Sequence, residues 1–264
     1  MLLKKISVLS MTLALVACVA PPKFQDTRQP NKNETFALGS SALLQPTNHT
    51  VRHINVEKNI IYTQTFGGGG LALGLLLGPA GTAANYAMIN SATDADTHKL
   101  SNKIPVDPVK SFSNAARLHN FSLTDTTNPD SRITPYLYIV KTSESSLNIA
   151  TGLIYEPNIG TASKYMLQLP GTYTVEELSS LSPEQASILQ STVDSGFEQL
   201  LGFFSREGSE SPLGQPIKYK SAFISPRFDF TLDGSVAAKD DHITWIRTYG
   251  GLYGLRNGTF SVSY

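Results

Sequence analysis

The chain has 264 residues with 21 basic and 21 acidic side chains, and 41% of its residues are hydrophobic. Such a balance offers no basic field for nucleic acid and no polybasic surface for membrane adhesion. With one cysteine in the whole sequence, an internal disulfide is excluded, and stability has to come from a hydrophobic core.

The N-terminus begins MLLKKISVLSMTLALVAC, with Lys4 and Lys5 ahead of an uncharged, mostly apolar run from Ile6 to Val16. That run is roughly half of the ~20 apolar residues a spanning helix needs, so it reads as a targeting segment over residues 1–17 and not as a permanent anchor. The residues Leu15-Val16-Ala17-Cys18 resemble the lipobox of bacterial lipoproteins, a likeness confined to the first eighteen residues. The resemblance implies cleavage before Cys18, a diacylglycerol thioether on it, and an envelope location. Valine follows the cysteine, where an aspartate would favour inner-membrane retention in lipoproteins of enteric type, so the outer membrane is expected. Several acyl chains on one residue, at ~0.8 kcal/mol per buried methylene, make a stable anchor. Loss of Lys4 and Lys5 leaves 19 basic against 21 acidic residues.

Residues 18–48 read as a lipidated tether, polar at first and holding Pro21, Pro22 and Pro30, with too little apolar surface to offset the entropy of ordering. Its first eighteen residues give a reach of roughly 20–25 Å. Between Thr50 and Phe66, two β-branched and aromatic runs flank Glu57-Lys58-Asn59, the composition of a hairpin. His49 and His53 have a spacing that could hold a metal on a helix, but the surrounding Val51, Ile54 and Val56 predict a strand, and no metal site is expected.

No charged residue lies between Lys58 and Asp94. Within this stretch Gly70, Gly74 and Gly78 form a GxxxGxxxG repeat, and Ala83, Ala87 and Ser91 continue a small-residue spacing beyond Pro79 and Gly81. The pattern resembles the glycine zippers of bacterial envelope proteins, which implies close helix contact in a membrane or between copies. Three arrangements fit it: a buried hairpin of two short helices turning at Pro79-Ala80-Gly81, a zipper between copies, or a single span of the 19 residues Leu71 to Ile89, about 28 Å long. Residues 49–93 are therefore taken as hairpin plus glycine-rich segment, and 94–109 as a linker.

Residues 110–264 are expected to form one domain. Asp107-Pro108 starts a helix that runs to about His119, whose imidazole suits the helix C-terminus. Strands are predicted at Tyr136–Val140, Leu147–Tyr155 and Lys164–Leu169. Ser182-Pro183-Glu184-Gln185 opens a helix to about Arg206 with an apolar stripe from Ile188 to Phe204. Further strands follow at Ile217–Ile224, Arg227–Leu232, His242–Tyr249 and Gly258–Tyr264. The expected fold class is α+β: an antiparallel sheet carrying one long amphipathic helix, preceded by a disordered tether and a glycine-rich apolar segment.

Chemistry is thinly signalled. There is no GxSxG elbow, no HExxH and no phosphate loop with its lysine. Asp240-Asp241-His242 has the residue types of a base and its orienter but reads as a solvated turn. Trp245, Arg247, Tyr249, Tyr253 and Arg256 are types enriched at interfaces and form a candidate contact surface. No catalytic residue, metal or cofactor is expected. The leading expectation is an envelope lipoprotein with a structural, assembly or interaction role. Its partners are the membrane through the lipid on Cys18, and a second copy or envelope protein through Gly70, Gly74, Gly78, Ala83 and Ala87. The alternatives are a periplasm-facing hydrolase and a carrier of an apolar ligand in a lined cavity.

Overall fold

The computed structural model describes residues 34–39, 42–46, 50–68, 70–125, 129–206 and 214–263, and of residues 70–77 the backbone alone. Cys18, His49 and most of the segment read as tether lie outside the described residues.

In chain order the elements are β1 (Thr35–Leu38), a 3-10 turn (Ala42–Leu44), β2 (Val51–Asn55), β3 (Ile60–Thr63), α1 (Gly70–Leu100), α2 (Pro108–Leu118), β4 (Ser122–Thr124), β5 (Ser131–Lys141), β6 (Leu147–Pro157) and β7 (Ser163–Gln168). There follow α3 (Val175–Ser179), α4 (Pro183–Phe204), β8 (Pro216–Ser221), β9 (Leu232–Lys239), β10 (Ile243–Thr248), β11 (Gly251–Arg256) and β12 (Phe260–Ser263). The helix starts obey local chemistry. Ser182 and Gln185 close a capping box on α4 with Pro183 at its first turn, and Asp107 accepts from Lys110 N at the start of α2. A second capping box, Thr174 with Glu177, starts α3.

The expected antiparallel sheet with one long helix is not what forms. The described strands join in one mixed sheet of 12, ordered β12-β8-β9-β10-β11-β7-β6-β5-β1-β4, with the β2–β3 hairpin attached through β3 to β5. Four α-helices accompany it among the described residues. Parallel pairs join β1 to β4 and β5, β3 to β5, and β7 to β11. A parallel pair needs a long crossover, so its partners are far apart in sequence and leave no local pattern. One edge of β5 is shared end to end: its residues 131–133 pair with β1 and its residues 137–140 with β3. Chain read as tether (Thr35–Leu38) and chain read as a separate hairpin thus enter the same sheet as the C-terminal half, and α1 runs through the expected linker as far as Leu100.

Two other strand expectations shift. Arg227 to Phe230 is irregular and β9 begins only at Leu232, while β11 arises in GLYGLR, where glycines look like turn punctuation.

Strand alternation gives the sheet two buried faces. Ile133, Leu137 and Ile139 of β5, Ile149 and Leu153 of β6, and Leu167 of β7 meet α2 and α4 on one side. Tyr136 and Val140 of β5, Ala150 and Ile154 of β6, and Met166 of β7 point to the other. On the helix face Phe204 is fully buried, with its ring centroid 4.9 Å from that of Tyr165 and 5.4 Å from that of Tyr155. The second face is covered by the sheet itself. Ile217 and Tyr219 of β8 belong to the same cluster as Tyr136, and Phe223 just beyond β8 meets Tyr138 edge-on at 6.2 Å. Strands far apart in the sheet order thereby come into contact, so the sheet curls around this second core.

Candidate functional site

The uncharged segment folds into a helical hairpin held at its base. Within α1, Gly78 is non-helical, with φ 57° and ψ -140°, and Pro79 starts the helix that follows. A methyl group on Gly68 would collide with Asn85 Oδ1 and Ile89 Cγ1, and one on Gly67 with Ala92 Cβ. Both ends of the Gly70–Leu77 segment therefore adjoin the helix after Gly78: one is bonded to it, and the other lies beside residues 85–92. An eight-residue helix is about 12 Å long, close to the length between those two points. The turn falls at Gly78, one residue before the expected Pro79-Ala80-Gly81.

Polar contacts staple the base to the sheet. Gln64 Nε2 donates to Ile89 O (2.9 Å) and Thr93 Oγ1 (2.6 Å), Tyr62 OH donates to Asp96 Oδ2 (2.6 Å), and Lys141 Nζ meets the same oxygen at 2.9 Å. Arg52 adds Nε to Asp94 Oδ1 (3.0 Å) and Nη2 to Asn90. Burial and the Asp96 carboxylate push the Tyr62 phenol far above its ordinary pKa, which keeps it neutral and donating. None of these partners was signalled by sequence, because each pair lies 25 or more positions apart in the chain.

Beyond the staples one face of the helix is open. Ala80, Ala83, Ala84, Tyr86, Ala87 and Met88 are exposed, Tyr86 at 53% of its surface. Ala83 and Ala87, predicted contact residues, thus lie on an open face, while Gly81 and Ile89 are buried. Gly78 serves as the turn; the side-chain surroundings of Gly70 and Gly74 are outside the description. No described helix is long and apolar enough to cross a membrane.

The predicted C-terminal contact residues do not share a surface. Trp245 is buried on the helix face and stacks on Phe203 at 3.9 Å; Tyr253 is buried in the opposite core. Arg247 is buried, Arg256 is half-buried, and Tyr249 alone of the five is 71% exposed. His242 is exposed in the β9–β10 turn, where Asp240 Oδ1 accepts from His242 N (2.7 Å) and Ile243 N (2.8 Å). These backbone bonds hold the Asp240 carboxyl below its ordinary pKa, as befits a turn cap. His53 Nε2 lies 3.0 Å from Leu44 O, and no cluster of three potential metal ligands occurs among the described residues.

Two surface clefts are larger than the rest described. One, of about 530 Å³, gathers His119, Glu198, Ser205 and Asp240 beside Phe203 and Trp245. These are hydrolase residue types, yet His119 Nε2 lies 3.1 Å from Glu198 O, bridging the end of α2 to α4, and Ser205 Oγ donates to Gly202 O at 3.2 Å at the end of α4. The other, of about 550 Å³, lies between Lys220–Asp229 and the turn Gly258–Ser261. Charged side chains line both, and Phe203, Ile243 and Trp245 add an apolar wall to the first.

No protein-family model matches this chain, and no curated protein is significantly similar to it.

Proposed function

We propose that this protein is a lipid-anchored envelope protein, attached through acylated Cys18, that works by contact, with the helical hairpin at residues 67–92 as its contact element. The observation that carries the reading is the pairing of a polar, stapled base with an exposed face devoid of charge. A helix face needed only for the fold would be docked; one built from alanine and methionine and left open suits a membrane or another helix. The tether would let the sheet stand off from the bilayer while the hairpin engages it or a second copy.

The test combines two variants of the full chain in its host. Cys18→Ala should abolish labelling by a radiolabelled fatty acid and release the protein from the membrane fraction. Ala83→Glu with Ala87→Glu should leave labelling intact but weaken cross-linking between copies or resistance to extraction. Labelling that survives Cys18→Ala would overturn the anchor, and unchanged cross-linking and extraction in the double variant would overturn the hairpin's role.

A further inference from the structure

The 550 Å³ cleft adjoins the hairpin base, because the loop that walls it is tied there. Arg227 donates through Nη1 to Thr65 O (2.6 Å) and through Nη2 to Gly68 O (3.0 Å), the backbone just ahead of α1. Two of its five N–H donors are used in this way, and carbonyl oxygens orient a guanidinium without cancelling its charge. To hold this pose Arg227 adopts φ 69°, a left-handed conformation uncommon for a residue with a side chain and a marker of local strain at sites of use. Lys220 stands in the same cleft and spends one of its three donors on Asp229 Oδ2 at 2.6 Å. Among the hydroxyls of the wall, Ser225 Oγ donates to Phe228 O (3.2 Å) and Thr259 Oγ1 lies 2.9 Å from Gln168 Oε1, while Ser221 has a buried hydroxyl without a hydrogen-bond partner.

Two cations against one acid, one cation fixed in direction, with the unpartnered Ser221 hydroxyl in the same wall, make a cradle for a phosphate. Its rim says where that phosphate comes from. Phe228 lines the cleft and stacks on Phe230, ring centroids 5.3 Å apart, and Phe230 is 56% exposed. A soluble phosphate has no use for an aromatic pair whose outer ring, Phe230, is exposed. A phospholipid presents its phosphate and the edge of its acyl layer side by side. We propose that the cleft holds the phosphate of an anionic phospholipid while Phe228 and Phe230 enter the acyl boundary, fixing the orientation in which the hairpin meets the bilayer. The proposal rests on the membrane arm of the reading above. With 19 basic and 21 acidic residues from Cys18 onward, the overall charge does not favour anionic lipid.

The test uses the chain from residue 18 onward with Cys18→Ala, floated with vesicles of phosphatidylcholine alone or mixed with phosphatidylglycerol. The parent should favour the mixed vesicles. Lys220→Gln, at an exposed side chain, should lower binding to the mixed vesicles about fivefold and leave phosphatidylcholine unaffected. Phe230→Ser should lower binding to both. An unchanged phosphatidylglycerol preference in Lys220→Gln overturns the proposal, and displacement from vesicles by millimolar inorganic phosphate would assign the cleft to free phosphate instead. If Ala83→Glu with Ala87→Glu floats like the parent while Lys220→Gln does not, the hairpin's membrane contact fails and the cleft stands; the reverse result sinks the cleft and spares the hairpin.

Discussion

α4 and the helix of α1 after Gly78 are of similar length, 22 residues in the first case, yet they relate to the sheet in opposite ways. α4 buries Leu189, Val193, Phe197, Leu200, Leu201 and Phe204 along one stripe and is held by apolar packing. α1 after Gly78 is held at its C-terminal half by hydrogen bonds and ion pairs, with Leu100 at its end in the core, and its other half exposes alanines. Apolar packing is dense and undirected, so it secures a whole helix; polar staples act at points and leave the unstapled turns available. The first helix is part of the core, whereas the second is presented by it.

The contrast can be broken from either side. The largest effect is expected for Phe204→Ala, which empties the centre of an aromatic cluster and should cost about 3–5 kcal/mol in denaturant unfolding. A loss under about 1 kcal/mol would mean that α4 is not the core helix described. Asp96→Asn removes the negative charge of the acceptor that Tyr62 and Lys141 share, leaves the Lys141 ammonium without its counter-ion, and should cost about 2 kcal/mol. Hydrogen exchange should then quicken across α1 before α4, and uniform quickening would show that the staple serves the whole fold. Ser182→Ala takes away one half of the α4 capping box and should cost about 1 kcal/mol. Ala83→Glu, on the open face, should change stability by less than about 0.5 kcal/mol, and a larger loss would place that face in the interior.

The smallest effect is one of pH. The bonds from Thr35 N (2.9 Å) and Oγ1 (2.8 Å) hold the Asp130 carboxyl below its ordinary pKa and tie β1 to the start of β5. A depressed folded pKa contributes stability that is present above the unfolded value, about 3.9, and is lost as pH falls through the folded one. The Thr35 amide resonance should shift across that acidic window, and Asp130→Asn should remove the titration. A resonance that titrates unchanged in the variant would assign it to another group.

Local chemistry was legible wherever it is satisfied within a few residues. The α4 stripe and its capping box, the Asp107-Pro108 start of α2, the β2–β3 hairpin and the strands from Tyr136 to Leu169 all follow from spacing that a reader can see. β11 was hidden by glycines, and the irregular 227–230 loop looked like a strand because Phe and Arg suit either state. The candidate site was half legible. Freedom from charge between Lys58 and Asp94 marked the segment, but the glycine and alanine spacing did not say which face would be covered. Gly78 proved to be a turn, and Ala83 and Ala87 proved to be exposed. The aromatic and arginine-rich C-terminal stretch was split between two cores, since successive residues of a strand point to opposite faces.

What the sequence determined by itself is the set of local conformations and the uncharged stretch, because caps, periodicity and charge act over a few residues. What only the tertiary structure decided is the pairing of β1 and β3 along one edge of β5, the curl that brings the loop after β8 over Tyr138, and the Arg227 bonds that set a cationic cleft beside the hairpin. Those arrangements depend on contacts between residues up to about 160 positions apart, and contacts at that range leave no periodic trace in the chain that makes them.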